Sequence, residues 1–80
     1  MLLENAYIVI EDGISQCQFV KQVKEMFYSY TVIKIFACNS GALITIFDGI
    51  SVVRYIVDFD KIDDFINGNM KITDLDFEMF

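Results

Sequence analysis

The cysteines and the acidic residues of this sequence carry the side chains that could do chemistry. The chain has two cysteines, Cys17 and Cys38, and no histidine. A cysteine nucleophile ordinarily needs an imidazole to remove its proton, and histidine is also the commonest general base and metal ligand. The sequence contains no P-loop, dinucleotide fingerprint or nucleophile elbow either. We therefore expect no enzymatic activity, and we expect both thiols to be reduced and buried, where they act as small hydrophobic residues.

The acidic run 58–64 does not fit a calcium-binding loop. An EF-hand places oxygen ligands at positions 1, 3, 5 and 12 and glycine at position 6. Counted from Asp58, these last three positions are Ile62, Asn69 and Asp63, so the pattern fails at three places. The run is better explained as the solvated start of a helix. We expect no metal site and no cofactor.

The negative charge of the chain is concentrated in its last part. Residues 1–57 carry a net charge of −1, whereas residues 58–80 carry −5 of the total of −6. Such a field repels nucleic acid phosphates and anionic membranes, and it attracts a basic protein surface. The candidate partner-binding acids are Asp58, Asp60, Asp63, Asp64, Asp74, Asp76 and Glu78.

The length and hydropathy of the chain predict one α+β domain over residues 1–80. Eighty residues, of which 55% are hydrophobic, suffice for one small core. The start of the chain lacks the basic region of a signal peptide, and no apolar run approaches the ~20 residues that a membrane span needs. We expect a cytoplasmic protein; if a phage encodes it, it would act in the cytoplasm of the host.

The predicted elements begin with a strand at 6–11 and a helix at 15–29. Ser15 and Gln18 have the spacing of a capping box. The residues that follow repeat with the period of one helical face: Phe19, Val20, Val23, Met26, Phe27 and Tyr30. A second, short helix should be capped by Asp60 and end at Gly68, and the last residues should form an edge strand or an extended tail.

Residues 31–58 predict three antiparallel strands joined by two-residue turns at Ser40-Gly41 and Asp48-Gly49. In this register Phe36 lies opposite Thr45, and Thr45 lies opposite Val52. The polar residues Lys34, Thr45 and Arg54 then share one face. The other face is the expected core, covered by the helix, with Ile33, Ile35, Ala37, Ala42, Ile44, Ile46, Val53, Tyr55 and Val57. The fold class is thus a β-α-β-β-β antiparallel sheet with one main helix on one face and a short C-terminal helix.

The polar-marked face is also largely apolar, since it includes Val32, Phe36, Leu43, Phe47, Val52 and Ile56. An apolar surface of this size rarely stays open on a monomer. One interpretation is that the C-terminal segment covers it with Ile66, Leu75, Phe77 and Phe80. The other is that Phe36, Leu43, Phe47, Val52 and Ile56 form an interface with a partner or with a second copy of the chain.

These features lead to three hypotheses on function. Small size, acidity and the lack of catalytic motifs resemble the general character of phage-encoded inhibitors, such as anti-CRISPR proteins and other DNA mimics. The first hypothesis is a stoichiometric inhibitor that blocks a nucleic-acid-handling enzyme through the acidic C-terminal region. The second is an immunity protein or antitoxin that neutralises a basic toxin. The third is a structural or assembly subunit that forms a homodimer through the apolar face.

Overall fold

In the part of the chain that the structure describes, five strands form one sheet and two α-helices lie against it. The computed structural model describes residues 6–11, 14–38 and 40–79. The order of the strands in the sheet is their order in the chain. The elements are β1 Tyr7–Ile10, α1 Gln16–Met26, β2 Thr31–Cys38, β3 Gly41–Phe47, β4 Val52–Asp58, α2 Ile62–Ile66 and β5 Asp76–Met79. This arrangement confirms the predicted α+β class.

The sheet is mixed rather than wholly antiparallel, because β1 runs parallel to β2. A parallel pair needs a crossover, and α1 provides it. The helix begins after Ser15, whose hydroxyl accepts a hydrogen bond from the backbone N–H of Gln18 at 3.4 Å, as the capping box predicts. It ends at Met26, three residues before the expected end, and a turn then leads into β2.

The core lies between the helices and one face of the sheet. Phe19, Val23 and Phe27 of α1 are fully buried, which confirms the predicted helical stripe. The ring of Phe65 in α2 lies 5.1 Å from that of Phe19, so both helices meet over the same sheet. Burial of a phenylalanine side chain contributes roughly 1.5–3 kcal/mol. The sheet supplies the rest of this core: Val32, Ile35, Ala37, Ala42, Ile44, Ile46, Val53 and Val57.

Both turns of the meander differ from the predicted ones. Cys38 pairs with Gly41, so the first turn lies one residue earlier in the chain, and Phe36 faces Leu43 instead of Thr45. Phe47 pairs with Val52, so the second loop has four residues rather than two. Both changes move the register by two residues. Since side chains alternate with a period of two, these two changes by themselves leave each residue on its expected face.

One β-bulge does move residues between faces. The register of β2 shifts between Val32 and Lys34. Ile33, which was expected in the core, is therefore 42% exposed, and Val32, which was expected on the other face, is buried opposite Ile46. The extra residue of a bulge reverses the alternation on one side of it.

The C-terminal segment extends the sheet instead of covering its apolar face. β5 pairs with β4 along the sheet edge, which confirms the expected edge strand. Ile66 and Leu75 pack into the core on the helix side, and Phe80 lies outside the described residues. The covering interpretation is therefore wrong for the described part of this segment.

The short second helix is present, but its expected cap is not. Asp60 lies inside a 3₁₀ turn, Phe59–Lys61, that leads into α2, and no side chain caps the start of α2. Gly68 ends the helix as expected, with a φ of 78° that favours glycine. No helix in residues 6–11, 14–38 and 40–79 is long and apolar enough to cross a membrane.

Candidate functional site: the open face of the sheet

The face of the sheet opposite the helices carries the candidate site. Its residues lie outside the core cluster between the helices and the sheet, although Cys38 at its edge is buried. We call it the open face. Strand pairing assigns to it Tyr7, Val9, Thr31, Lys34, Phe36, Cys38, Gly41, Leu43, Thr45, Phe47, Val52, Arg54, Ile56, Asp58, Asp76 and Glu78. Among the described residues, no helix packs on this side, because the apolar residues of α1 and α2 enter the core on the other side.

An apolar row crosses the open face. Val9, Phe36, Leu43 and Ile56 lie side by side on four neighbouring strands, and Asp76 ends the row on β5. These four apolar residues are partly accessible. Beside the row, towards the turn between β2 and β3, is a pocket of about 220 Å³ whose lining includes Phe36, Leu43 and Ile56. The row offers a partner a continuous apolar strip across the sheet.

A polar row lies beside it and holds the two cationic residues of this face. The ammonium group of Lys34 lies 5.6 Å from the centre of the Tyr7 ring, within the range of a cation–π contact. The guanidinium of Arg54 lies 3.6 Å from the carboxylate of Glu78 on β5. Both side chains of this pair are partly exposed, so it contributes at most about 1 kcal/mol. Both cations therefore engage neighbours on the same face.

The third row ends at an ordered loop. Phe47 is 40% exposed and pairs with Val52 across the loop. The carboxylate of Asp48 accepts hydrogen bonds from the backbone N–H groups of Ile50 and Ser51, both at 2.8 Å. These bonds lower the pKa of Asp48 below its usual value, and the bond from Ser51 has the larger effect. Ile50 projects from the loop with 90% exposure.

The seven acids predicted as one surface are divided by the fold. All of them are exposed. Asp76 and Glu78 lie on the open face, and alternation along β4 places Asp58 there as well, beside the pocket. We call these three the acidic border. Asp63 and Asp64 belong to α2 on the opposite side of the sheet, and Asp60 lies in the 3₁₀ turn before it.

Asp74 has a local structural role. Its carboxylate accepts a hydrogen bond from the backbone N–H of Lys71 at 2.9 Å, which fixes the 3₁₀ turn Ile72–Asp74 ahead of β5. The turn delivers the chain to the sheet edge. Asp74 thus positions the acidic border and is not one of its members.

All five apolar residues predicted for the interface lie on the open face: Phe36, Leu43, Phe47, Val52 and Ile56. Sequence reasoning missed Tyr7 and Val9, which join the face only because β1 lies beside β2. The alternation of β1 was visible in the sequence. Its position in the sheet was not.

The cysteines occupy different environments. Cys38 is buried, as expected, and its sulfur lies 2.9 Å from the hydroxyl oxygen of Ser40. Cys17 is exposed on α1, so its predicted burial is wrong. Cys17 is two residues from Phe19, about 200° around the helix, so it lies on the side away from the buried Phe19 and Val23. In the described ranges, no three acidic or cysteine residues form a group that could hold a metal ion.

Comparison with protein-family models, curated proteins and solved structures finds no match to this chain.

Proposed function

We propose that this protein is a stoichiometric inhibitor that binds a basic, nucleic-acid-handling enzyme through its open face. The observation that carries the proposal is the apolar strip of the open face, which no described helix covers. The acidic border flanks it with Asp76 and Glu78 on β5 and Asp58 at the end of β4. The strip supplies contact area, and the border supplies charge that matches a basic surface.

The size of the open face suits a protein interface. Five strands about 4.8 Å apart and three rows about 7 Å apart give roughly 450 Å² in projection. This area includes the polar row, so the apolar strip within it falls in the range of the largest apolar patches of monomers, about 300–600 Å², which are often functional. The whole face is a little over half of the ~800 Å² that each partner buries in a standard complex. Neighbouring loop residues such as Ile50, which is 90% exposed, extend the contact.

Charge supports the choice of partner. The chain carries a net charge of −6, and Asp58, Asp76 and Glu78 border the face that would make contact. The net negative charge attracts a basic partner from a distance, and the carboxylates of the acidic border form ion pairs with it at short range. Enzymes that handle nucleic acids present basic channels for phosphates, so they are the class of protein that such a border fits best.

The test compares matched variants. The double variant D58N/D76N removes two charges from the acidic border, whereas D63N/D64N removes two charges from the opposite side of the sheet. Phe47→Ser removes an exposed aromatic side chain from the open face. Each purified variant is used to capture proteins from lysate, and the captured enzyme is then assayed with increasing amounts of the purified inhibitor.

We expect the wild type and D63N/D64N to capture the same basic enzyme and to abolish its activity at equal stoichiometry. Capture by D58N/D76N should weaken and become less sensitive to salt, and Phe47→Ser should lose it. Equal capture by all four proteins would contradict the proposal, as would a captured enzyme with undiminished activity. Recovery of the bait alone, with a dimer in sedimentation, would favour the assembly subunit instead.

A further inference from the structure

The outer edge of β5 is a second feature suited to a partner. β5 pairs with β4, and no other described strand lies on its far side. The backbone N–H and C=O groups along that side have no partner within the sheet. Such an edge can take up one more strand, which is a recurrent mode of peptide recognition.

The side chains of β5 define what that strand would contain. Asp76 and Glu78 lie on the open face, whereas Phe77 and Met79 lie on the helix-covered face. Phe77 and Met79 are 59% and 60% exposed, because they extend beyond the area that the helices cover. The ring of Phe77 packs 5.9 Å from that of Tyr55 and is accessible from the edge.

A second copy of β5 is a poor occupant of this edge. In an antiparallel pair of two β5 strands, the carboxylates of Asp76 and Glu78 would lie close to those of the other copy on one face. Like charges on facing strands destabilise their pairing, and charged residues are a common protection of edge strands. The same charges favour a strand with basic side chains at every second position.

We propose that the outer edge of β5 binds, by strand addition, an extended segment of the partner in which basic and apolar residues alternate. The basic side chains lie beside Asp76 and Glu78, and the apolar side chains cover Phe77 and Met79. This inference rests on the proposed function, since the segment belongs to the same basic partner. β1, at the other edge of the sheet, carries no acidic residue and does not select for such a segment.

The test uses two capped peptides of equal composition. In one, lysine and valine alternate; in the other, the same lysines and valines stand in two blocks. Binding to the whole protein is measured by calorimetry, and backbone hydrogen exchange is measured by NMR with and without each peptide. The variants are D76N/E78Q and the control D63N/D64N, each checked for folding by circular dichroism.

We expect the alternating peptide to bind more tightly than the block peptide and to slow exchange within Asp76–Met79. Neutralisation of the two β5 acids should weaken its binding roughly 3- to 10-fold, whereas the control should bind as the wild type does. Equal binding of both peptides, protection at β1, or no protection at β5 would overturn the inference. So would a wild-type dimer formed through β5. The proposed function would survive each of these results if the Phe47→Ser variant still lost the captured enzyme.

Discussion

Truncation of two phenylalanines tests whether the open face is really open. Phe47→Ala and Phe65→Ala remove the same atoms, but Phe47 is 40% exposed on the open face and Phe65 is fully buried against Phe19. Loss of a buried phenyl ring costs about 3–5 kcal/mol, because the cavity fills only in part. At Phe47 water occupies the vacated space, so only the lost contact area counts. Full burial of a phenylalanine side chain contributes roughly 1.5–3 kcal/mol, and Phe47 is 40% exposed, so we expect a loss of about 1–2 kcal/mol.

The assay is equilibrium unfolding in urea, which gives the free energy of unfolding of each variant. A chain of this length has a total stability of about 4–12 kcal/mol. Phe65→Ala could therefore leave the protein partly unfolded in water, and Phe65→Leu is the milder substitute. Equal losses at Phe47 and Phe65 would refute the reasoning, because they would mean that Phe47 is covered in solution. The open face would then be unavailable to a partner.

Three further predictions concern a loop residue, a glycine in β3 and a tyrosine on the helix-covered face of the sheet. Asp48→Ala should destabilise the loop after β3, measured by urea unfolding. The backbone hydrogen bonds lower the pKa of Asp48, so its ionised carboxylate stabilises the folded protein. This contribution to the free energy of unfolding should be fully present above the unfolded pKa near 3.8 and be lost as the pH falls through the lower folded pKa. An NMR titration of the Asp48 carboxyl group measures that folded pKa. Gly41→Ala should cost at least ~1 kcal/mol in the same unfolding assay, because φ is 146° and a Cβ would lie 3.1 Å from the carbonyl oxygen of Val57. Burial is the largest cause, and the charges of neighbouring groups the next, of a raised pKa at Tyr55. The contribution of its neutral hydroxyl to the free energy of unfolding should therefore be complete below pH ~10 and be lost as the pH rises through the pKa of the folded state. Tyrosinate absorbance, with Tyr55→Phe as the control, measures this pKa.

The helix and the two faces of the meander could be predicted because each depends on local periodicity. Ser15 and the stripe from Phe19 to Phe27 specify α1 within a few residues. Both predicted turns of the meander were wrong, but a register error of two residues leaves the alternation of side chains unchanged, so the predicted faces were not affected by it. Thr45 therefore lies on its expected face, although it pairs with Arg54 and not with Val52.

The loop after β3, the β-bulge and the position of β1 could not be predicted, because the periodicity of the sequence does not show which of several possible conformations is more stable. The carboxylate of Asp48 bonds to two backbone N–H groups and closes a four-residue loop, where Asp-Gly alone favours a two-residue turn. The bulge at Ile33 can be predicted only when the strands on both sides of β2 are known. The position of β1 beside β2 is set by the crossover of α1, and it decides that Tyr7 enlarges the open face.

The division of the acids changes what their charge can do. The shortest dimension of the molecule is 19 Å, and α2 lies on the far side of the sheet from the open face. The Debye length is about 8 Å at physiological ionic strength and about 30 Å at 0.01 M. Asp63 and Asp64 can therefore attract a partner of the open face at low salt, but at physiological salt that attraction is largely screened. Asp58 and Asp76 lie at the proposed contact, where their effect would persist at physiological salt. It follows that D63N/D64N and D58N/D76N should slow association to a similar degree at low salt and differ at physiological salt, so the matched capture experiment separates contact from net charge only under the second condition.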